Sequence, residues 1–439
     1  MINKNISAIS TAAGTGGVAI IRVSGENPLS VAEKMFIPSG KTAVKDFKPN
    51  YMYTGKIICD GFEDFGLAVY FKAPRSFTGE DVVEFHCHGG VQIARGVLQA
   101  TLNCGASAAD RGEFTKRAFL NGKLSLSSAE GMIDMINAES LSEIRAGSML
   151  YAEKLTGRIK EIQRALTDVL AGIAADIDYP EEDVAATELS GLKFTLSDVN
   201  SCLGEMINSF SRGKKIKSGV TVALCGKPNV GKSSLLNALL GYDKAIVSST
   251  AGTTRDAVEG TIELGGVKFN LIDTAGLRER ADEIEAIGIR KAKKILASAD
   301  VVVYVTDGEG GLPEIDTEDK RVIKIFNKCD VSAPQSGGYD LAVSAKTGEG
   351  LKELEALLLK KADMGNSLDG AFIIEERHYA ALCRASVCLD NAVNAIGIYP
   401  LDIISLDIKD AWSALGEITG ETANEDIINQ VFAKFCVGK

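Results

Sequence analysis

Gly226-Lys-Pro-Asn-Val-Gly-Lys-Ser233 decides the reading of this chain: a glycine, four residues, then Gly231-Lys232-Ser233. Val220-Thr-Val-Ala-Leu-Cys225 before it is a short apolar run suited to a buried strand, and Ser233-Ser-Leu-Leu-Asn-Ala-Leu-Leu240 after it has helical character. Glycines let backbone N–H groups turn inward around a phosphate, and the helix N-terminus adds partial positive charge. In such a loop Lys232 reaches the β- and γ-phosphates and the Ser233 hydroxyl ligates Mg²⁺.

Further elements follow in order. Ala245-Ile-Val-Ser-Ser-Thr-Ala-Gly-Thr-Thr-Arg-Asp256 is polar and long enough to fold over a γ-phosphate. Val258–Leu264 and Val267–Ile272 read as strands joined at Gly265-Gly266, a two-residue hairpin signal. The second strand delivers Asp273-Thr-Ala-Gly276, whose carboxylate suits a Mg²⁺ shell. Val301–Val305 and Val322–Phe326 are further buried runs, the latter leading into Asn327-Lys-Cys-Asp330, and Leu341-Ala-Val343 leads into Ser344-Ala-Lys346. A carboxylate at Asp330 accepts from guanine N1–H and the 2-amino group, an arrangement adenine does not offer. These five elements, in this order, resemble the GTPase superfamily across about Val220–Lys361.

The hydrolytic step leaves alternatives. Ras-like proteins orient water with a glutamine after the Asp-x-x-Gly element, and here Leu277 stands there. Glu285 is a candidate for that task, and Arg255, Arg278 and Arg280 are candidate cationic fingers. Asn229 reads equally as a turn residue or as a ligand to a monovalent cation beside the phosphates.

The 439 residues suffice for roughly two to four domains. Apolar residues make up 45 %, enough for packed cores, and 48 basic against 59 acidic residues argue against a surface coated in nucleic-acid-binding charge. Nine cysteines without paired spacing suit reduced thiols. With no signal peptide and no long apolar run, a soluble cytoplasmic protein is expected.

Outside the nucleotide module, Met1 to about Leu120 reads as mixed α and β: strands at Gly17–Val23, Tyr53–Ile58, Gly66–Phe71 and Asp81–His88, and helices at Pro28–Phe36 and Val91–Asn103. Arg22, inside an apolar run, needs an ion-pair partner or an anionic ligand. His86 and His88 would share one strand face, two ligands where a metal normally needs three or four, so a plain strand end is favoured. Helical spacing runs from about Leu126 to Ile177 and again over Leu192–Phe210; Arg212–Gly219 reads as a basic linker. Helices return at Glu375–Ala395, Ile408–Gly416 and Asn424–Phe435. A helical domain interrupted by an inserted α/β domain is the economical architecture.

Ala19-Ile-Ile-Arg-Val-Ser-Gly25, Ser76-Phe-Thr-Gly-Glu-Asp-Val-Val-Glu84, His88-Gly-Gly90, Arg111-Gly-Glu-Phe-Thr115, Arg117-Ala-Phe-Leu-Asn-Gly-Lys123 and the terminal Phe435-Cys-Val-Gly-Lys439 carry a wider resemblance. With Asn229 and Gly252-Thr-Thr-Arg-Asp256, they make the chain similar to the tRNA uridine-modification GTPase family, MnmE or TrmE. Val437 departs mildly from the family's usual isoleucine there. The resemblance implies an α/β and α+β multidomain fold. Residues 1–121 would form an α+β folate-binding and dimerisation domain, 122–217 and 371–439 a discontinuous helical domain, and 218–370 an inserted Ras-like P-loop GTPase domain.

It also implies a K⁺-activated GTPase acting as a homodimer. With an FAD-containing MnmG-type partner in a heterotetramer, it would place a carboxymethylaminomethyl group on carbon 5 of a tRNA wobble uridine. Formyl- or methylene-tetrahydrofolate would supply the one-carbon unit. By position, GTP would meet Asn229, Val230, Gly231, Lys232, Ser233 and Ser234, then Ser248, Ser249, Thr250, Ala251, Gly252, Thr253 and Thr254. Asp273, Thr274, Ala275, Gly276, Asn327, Lys328, Asp330, Ser344, Ala345 and Lys346 complete that set. Mg²⁺ would sit on Ser233 and Thr254, and K⁺ on Asn229, Ser248, Thr250 and Thr253. Glu285 would position water beside Lys232. Arg22, Glu80, Lys123 and Lys439 would hold the folate. Cys436 reads as a candidate nucleophile or as a merely buried thiol. The competing functional reading is a regulatory switch GTPase in ribosome assembly, against which no basic RNA-binding module is evident.

Overall fold

The computed structural model describes residues 4–178, 189–241, 260–273, 294–308, 321–332, 338–364 and 375–438. They fall into two compact units: Met1–Ile133 with Leu150–Ala171 and Lys409–Lys439, and Asp134–Met149 with Gly172–Ile408. In chain order the elements begin β1 (Ile6–Ile9), β2 (Val18–Gly25), α1 (Leu29–Met35), β3 (Phe36–Pro38), β4 (Met52–Cys59), β5 (Phe62–Phe71) and β6 (Asp81–His88). They continue as α2 (Val91–Asn103), β7 (Ser107–Ala108), α3 (Glu113–Leu120), α4 (Leu126–Asn137), α5 (Leu141–Tyr151), α6 (Lys154–Asp178) and α7 (Leu189–Ser218). Next come β8 (Val220–Gly226), α8 (Lys232–Leu240), β9 (Gly260–Leu264), β10 (Val267–Asp273), β11 (Val301–Thr306), β12 (Val322–Asn327) and β13 (Leu341–Val343). Among the described residues the chain closes on the helices α9 (Leu351–Lys361), α10 (Glu376–Ala395), α11 (Leu401–Thr419) and α12 (Glu425–Ala433).

In the first unit one sheet runs β3-β4-β5-β6-β2-β1-β7. Alternation in β2 and β6 puts Ile21, Val23, Val83 and Phe85 on one face, where they pack under Val31 and Met35 of α1 and Val97 of α2. The other face carries Arg22 directly opposite Glu84. The C-terminal segment belongs to this same unit. Phe432 and Phe435 pack with Leu126 and Phe119, Val437 bridges Arg111, and Ser10 Oγ donates to the Gly438 carbonyl at 3.2 Å.

In the second unit the sheet runs β13-β12-β11-β8-β10-β9, parallel except for the β9–β10 hairpin. Val222, Ala223 and Leu224 of β8 are almost inaccessible, as expected of a strand covered on both faces. Gly265 and Gly266 both take positive φ, +56° and +82°, the conformation that a type I′ hairpin turn demands.

Two expectations need correction, and two elements are additional. Arg212–Ser218 is no linker, because α7 continues to Ser218 and ends only where Gly219 turns left-handed at φ +81°. Burial of Gly213 and Ile216, and ion pairs of Lys217 with Asp134 and Glu375 and of Lys214 with Glu376, hold the basic turn helical. Cations also suit a helix C-terminus. The helix expected at Ile408–Gly416 is longer, Leu401–Thr419. The strand at Ile6–Ile9 and the helix at Glu113–Leu120 were not expected; at four and eight residues they carry little periodicity.

Candidate nucleotide-binding site

Gly226–Ser233 leaves the C-terminal end of β8 and enters α8, which starts at Lys232. Three of its residues have positive φ: Gly226 at +146°, Asn229 at +65° and Gly231 at +91°. A Cβ on Gly226 would strike the Val305 carbonyl of β11, and one on Gly231 would strike Asn327 Nδ2, so both glycines are required by close approach as well as by φ. Lys232, buried, donates from Nζ to the carbonyls of Gly226 at 3.2 Å and Lys227 at 2.6 Å, staying inside the ring that would receive phosphates.

Parallel order in the sheet brings the distant motifs to this loop. Asn327 ends β12, and its Nδ2 donates to the Val230 carbonyl at 2.8 Å while its Oδ1 accepts from Ala345 N at 3.2 Å. Lys328 Nζ donates to the Asn229 carbonyl at 2.9 Å and to Asp307 Oδ2 at 2.7 Å. Ser344 Oγ donates to Asp330 Oδ1 at 2.7 Å, leaving the carboxylate's second oxygen for a ligand's N–H groups. Ser233 Oγ donates to Asp273 Oδ2 at 2.9 Å. This pair of hard oxygen donors is of the kind Mg²⁺ takes. Ser234 is exposed on the first turn of α8, and Lys346 lies in the turn after β13. Asp307 belongs to none of the sequence motifs, and no spacing rule points to its pairing with Lys328.

Ser248, Ser249, Thr250, Ala251, Gly252, Thr253, Thr254, Thr274, Ala275, Gly276, Leu277, Glu285, Lys439 and the candidate fingers Arg255, Arg278 and Arg280 lie outside the described residues.

A second feature lies wholly within the first unit: a cavity of about 930 Å³ lined by Glu80, Asp110, Glu113, Arg117, Asn121 and Phe432 among others. Arg117 Nη1 bridges both oxygens of Glu80 at 3.2 and 3.1 Å, and its Nη2 meets Glu113 Oε1 at 2.8 Å. Ser24 Oγ also donates to Glu80 at 2.8 Å, so this carboxylate is fixed in place at the cavity wall. Arg22 is not on that wall. Its Nε donates to Glu84 Oε1 at 2.8 Å, and its guanidinium lies over the rings of Phe77 and Phe114. Burial opposes ionisation of Glu84, but hydrogen bonding from His86 and the charge of Arg22 together hold its carboxyl below the usual carboxylate value. Lys123 Nζ donates to the Pro74 carbonyl at 3.0 Å, and Cys436 is exposed. His86 and His88 bond different carboxylates, Glu84 at 3.4 Å and Asp64 at 2.6 Å.

No helix among the described residues is long and apolar enough to cross a membrane. The family model described as "MnmE helical domain" matches residues 126–436, and that described as "GTP-binding protein TrmE N-terminus" matches residues 5–123. The tRNA modification GTPase MnmE of Acetivibrio thermocellus is 37 % identical over 455 residues, covering 99 % of each chain. Its namesake from Heliobacterium modesticaldum is 38 % identical over 467 residues, covering 100 % of each. That of Thermoanaerobacter pseudethanolicus is 38 % identical over 460 residues, again covering 100 % of each.

Proposed function

Since the chain belongs to the MnmE family of tRNA modification GTPases, we propose that it is a K⁺-activated GTPase of tRNA wobble-uridine modification. The carrying observation is the clamp at Gly226–Ser233. Asn327 and Lys328 hold the loop's backbone, and Asp330, bonded by Ser344, would read the guanine. Mg²⁺ would be held by Ser233, beside Asp273 and with Thr254, and would neutralise phosphate charge. K⁺ would be held by Asn229 with Ser248, Thr250 and Thr253, and Glu285 would orient water, supplying what Leu277 cannot.

The first unit supports a folate site. A cavity of about 930 Å³ is large enough for a cofactor-sized ligand, and the fixed Glu80 carboxylate offers acceptors to a pterin's donor edge. Arg111 and Lys116 of the cavity wall would meet the anionic tail; Arg22 and Lys123, expected there from sequence, do not line it. The folate would supply the one-carbon unit, and Cys436 is the exposed thiol nearest the chain's end. On this reading residues 1–121 form the folate-binding and dimerisation domain, 122–217 and 371–439 the helical domain, and 218–370 the GTPase domain. The chain works in the cytoplasm as a homodimer, joined by an FAD-containing MnmG-type flavoprotein and acting on tRNA.

The test is GTP turnover by the full chain with Mg²⁺ in KCl and in NaCl, beside titration with 5-formyl-tetrahydrofolate. Faster turnover in K⁺ and saturable folate binding are expected. Equal rates in the two salts would remove the K⁺ assignment, and absent folate binding would remove the one-carbon reading. Mass analysis of wobble nucleosides in cells lacking the protein tests the tRNA assignment.

A further inference from the structure

Asp307 stands one residue past the end of β11. The register Val305↔Gly226 and Thr306↔Phe326 places it between the C-terminal ends of β8 and β12, level with the phosphate loop on one side and the base-reading segment on the other. Its Oδ2 lies 2.7 Å from Lys328 Nζ, and the same ammonium donates to the Asn229 carbonyl at 2.9 Å. The aspartate is the more enclosed partner, 17 % exposed against 42 % for the lysine.

Both ends of this link are conformationally unusual. Asn229 and Lys328 each have φ +65°, in the left-handed region that favours glycine. Non-glycine residues persist there where surrounding bonds over-determine the backbone. One ammonium joins the two, and a half-exposed lysine has many rotamers that point to water instead. An anion fixed on the adjacent strand end removes that freedom, and a charge-assisted bond is stronger and more directional than a neutral one.

We propose that Asp307 is a positioning residue for nucleotide binding: it orients Lys328 so that the ammonium holds the Asn229 carbonyl and the loop keeps its phosphate-receiving shape before a nucleotide arrives. On this proposal Asp307 acts through Lys328 rather than on the nucleotide itself. The proposal rests on the reading of Gly226–Ser233 as a phosphate loop and extends it to a residue in none of the motifs.

The experiment is a double-mutant cycle on the full chain, read by equilibrium binding and dissociation of a fluorescent GDP. Asp307→Asn and Lys328→Met are each expected to weaken GDP binding about tenfold, through faster dissociation. The double variant is expected to lose no more than either single, because both break one link. Asp307→Glu, which keeps the charge, is expected to recover part of the loss, a rescue that a merely structural role would not give. Affinity within twofold of the parent for Asp307→Asn, or losses that multiply in the double variant, would overturn the proposal. Should Asp307→Asn not fold, Lys328→Met with parent-like affinity overturns it alone. A parent chain that binds no GDP removes the nucleotide reading itself.

Discussion

Asn327 Nδ2 donates to the carbonyl of Val230 at 2.8 Å, across 97 residues of chain. The same side chain accepts from Ala345 N, so one buried amide ties the phosphate loop to the two segments that would grip the base. Removing it would strip a partner from the buried Val230 carbonyl and the part-buried Ala345 N–H. Asn327→Ala should therefore destabilise the second unit by about 1–3 kcal/mol, and GDP affinity should fall with it. Denaturant melts beside GDP titration check this; parent-like values in both would show that the amide is dispensable.

Gly226→Ala tests the loop's shape. The new Cβ would press on the Val305 carbonyl, and φ +146° is closed to a side chain. Since the obstruction is β11 backbone, the loop must move instead. A loss of about 1–3 kcal/mol in nucleotide binding is expected, measured by calorimetric GDP titration. Unchanged affinity would mean that the loop's resting shape is not its binding shape.

Base selection should follow Asp330. Ser344 Oγ donates to its Oδ1, and on the proposed reading Oδ2 would meet the base. Asp330→Asn swaps an acceptor for a donor, which suits the second carbonyl of xanthine in place of the guanine amino group. GTP affinity should fall at least tenfold, about 1.4 kcal/mol, while xanthosine triphosphate should gain. Competition binding with the two nucleotides decides it; a variant that still prefers GTP places the base elsewhere.

Acid should weaken the first unit through Glu84. The folded carboxyl is held below its usual value despite burial, by the His86 hydrogen bond and the Arg22 charge. A depressed folded value contributes stability above the unfolded value near ~4.3, and that contribution fades as pH falls through the folded one. Thermal melts across this range should show a steeper acid limb for the parent than for Glu84→Gln. Identical limbs would place the acid sensitivity in other carboxylates.

Much of the second unit was legible because its signals are local. A strand–loop–helix with glycines at fixed offsets, and a Gly265-Gly266 turn that needs φ > 0 twice, are set by residues adjacent in the chain. The strand Asp81–His88 and the helix Val91–Asn103 were readable for the same reason, since alternation and helical period are short-range patterns. Arg212–Ser218 was misread because its lysines look like a solvated linker until Asp134 and Glu375, distant in the chain, are known to meet Lys217.

By itself the sequence determined that a phosphate-loop pattern, Asp273-Thr-Ala-Gly276 and Asn327-Lys-Cys-Asp330 occur in this order, each at the end of a strand, because each is a local demand on φ, charge or apolarity. Tertiary structure alone decided the partners. It gave Arg22 to Glu84, Glu80 to Arg117, Val437 to Arg111 and Lys328 to Asp307. Which charges meet depends on sheet order and register, and those are fixed by burying whole strands rather than by any residue's neighbours. At Gly226–Ser233 the chain supplied the loop, and the parallel packing of β8, β11 and β12 supplied what holds it.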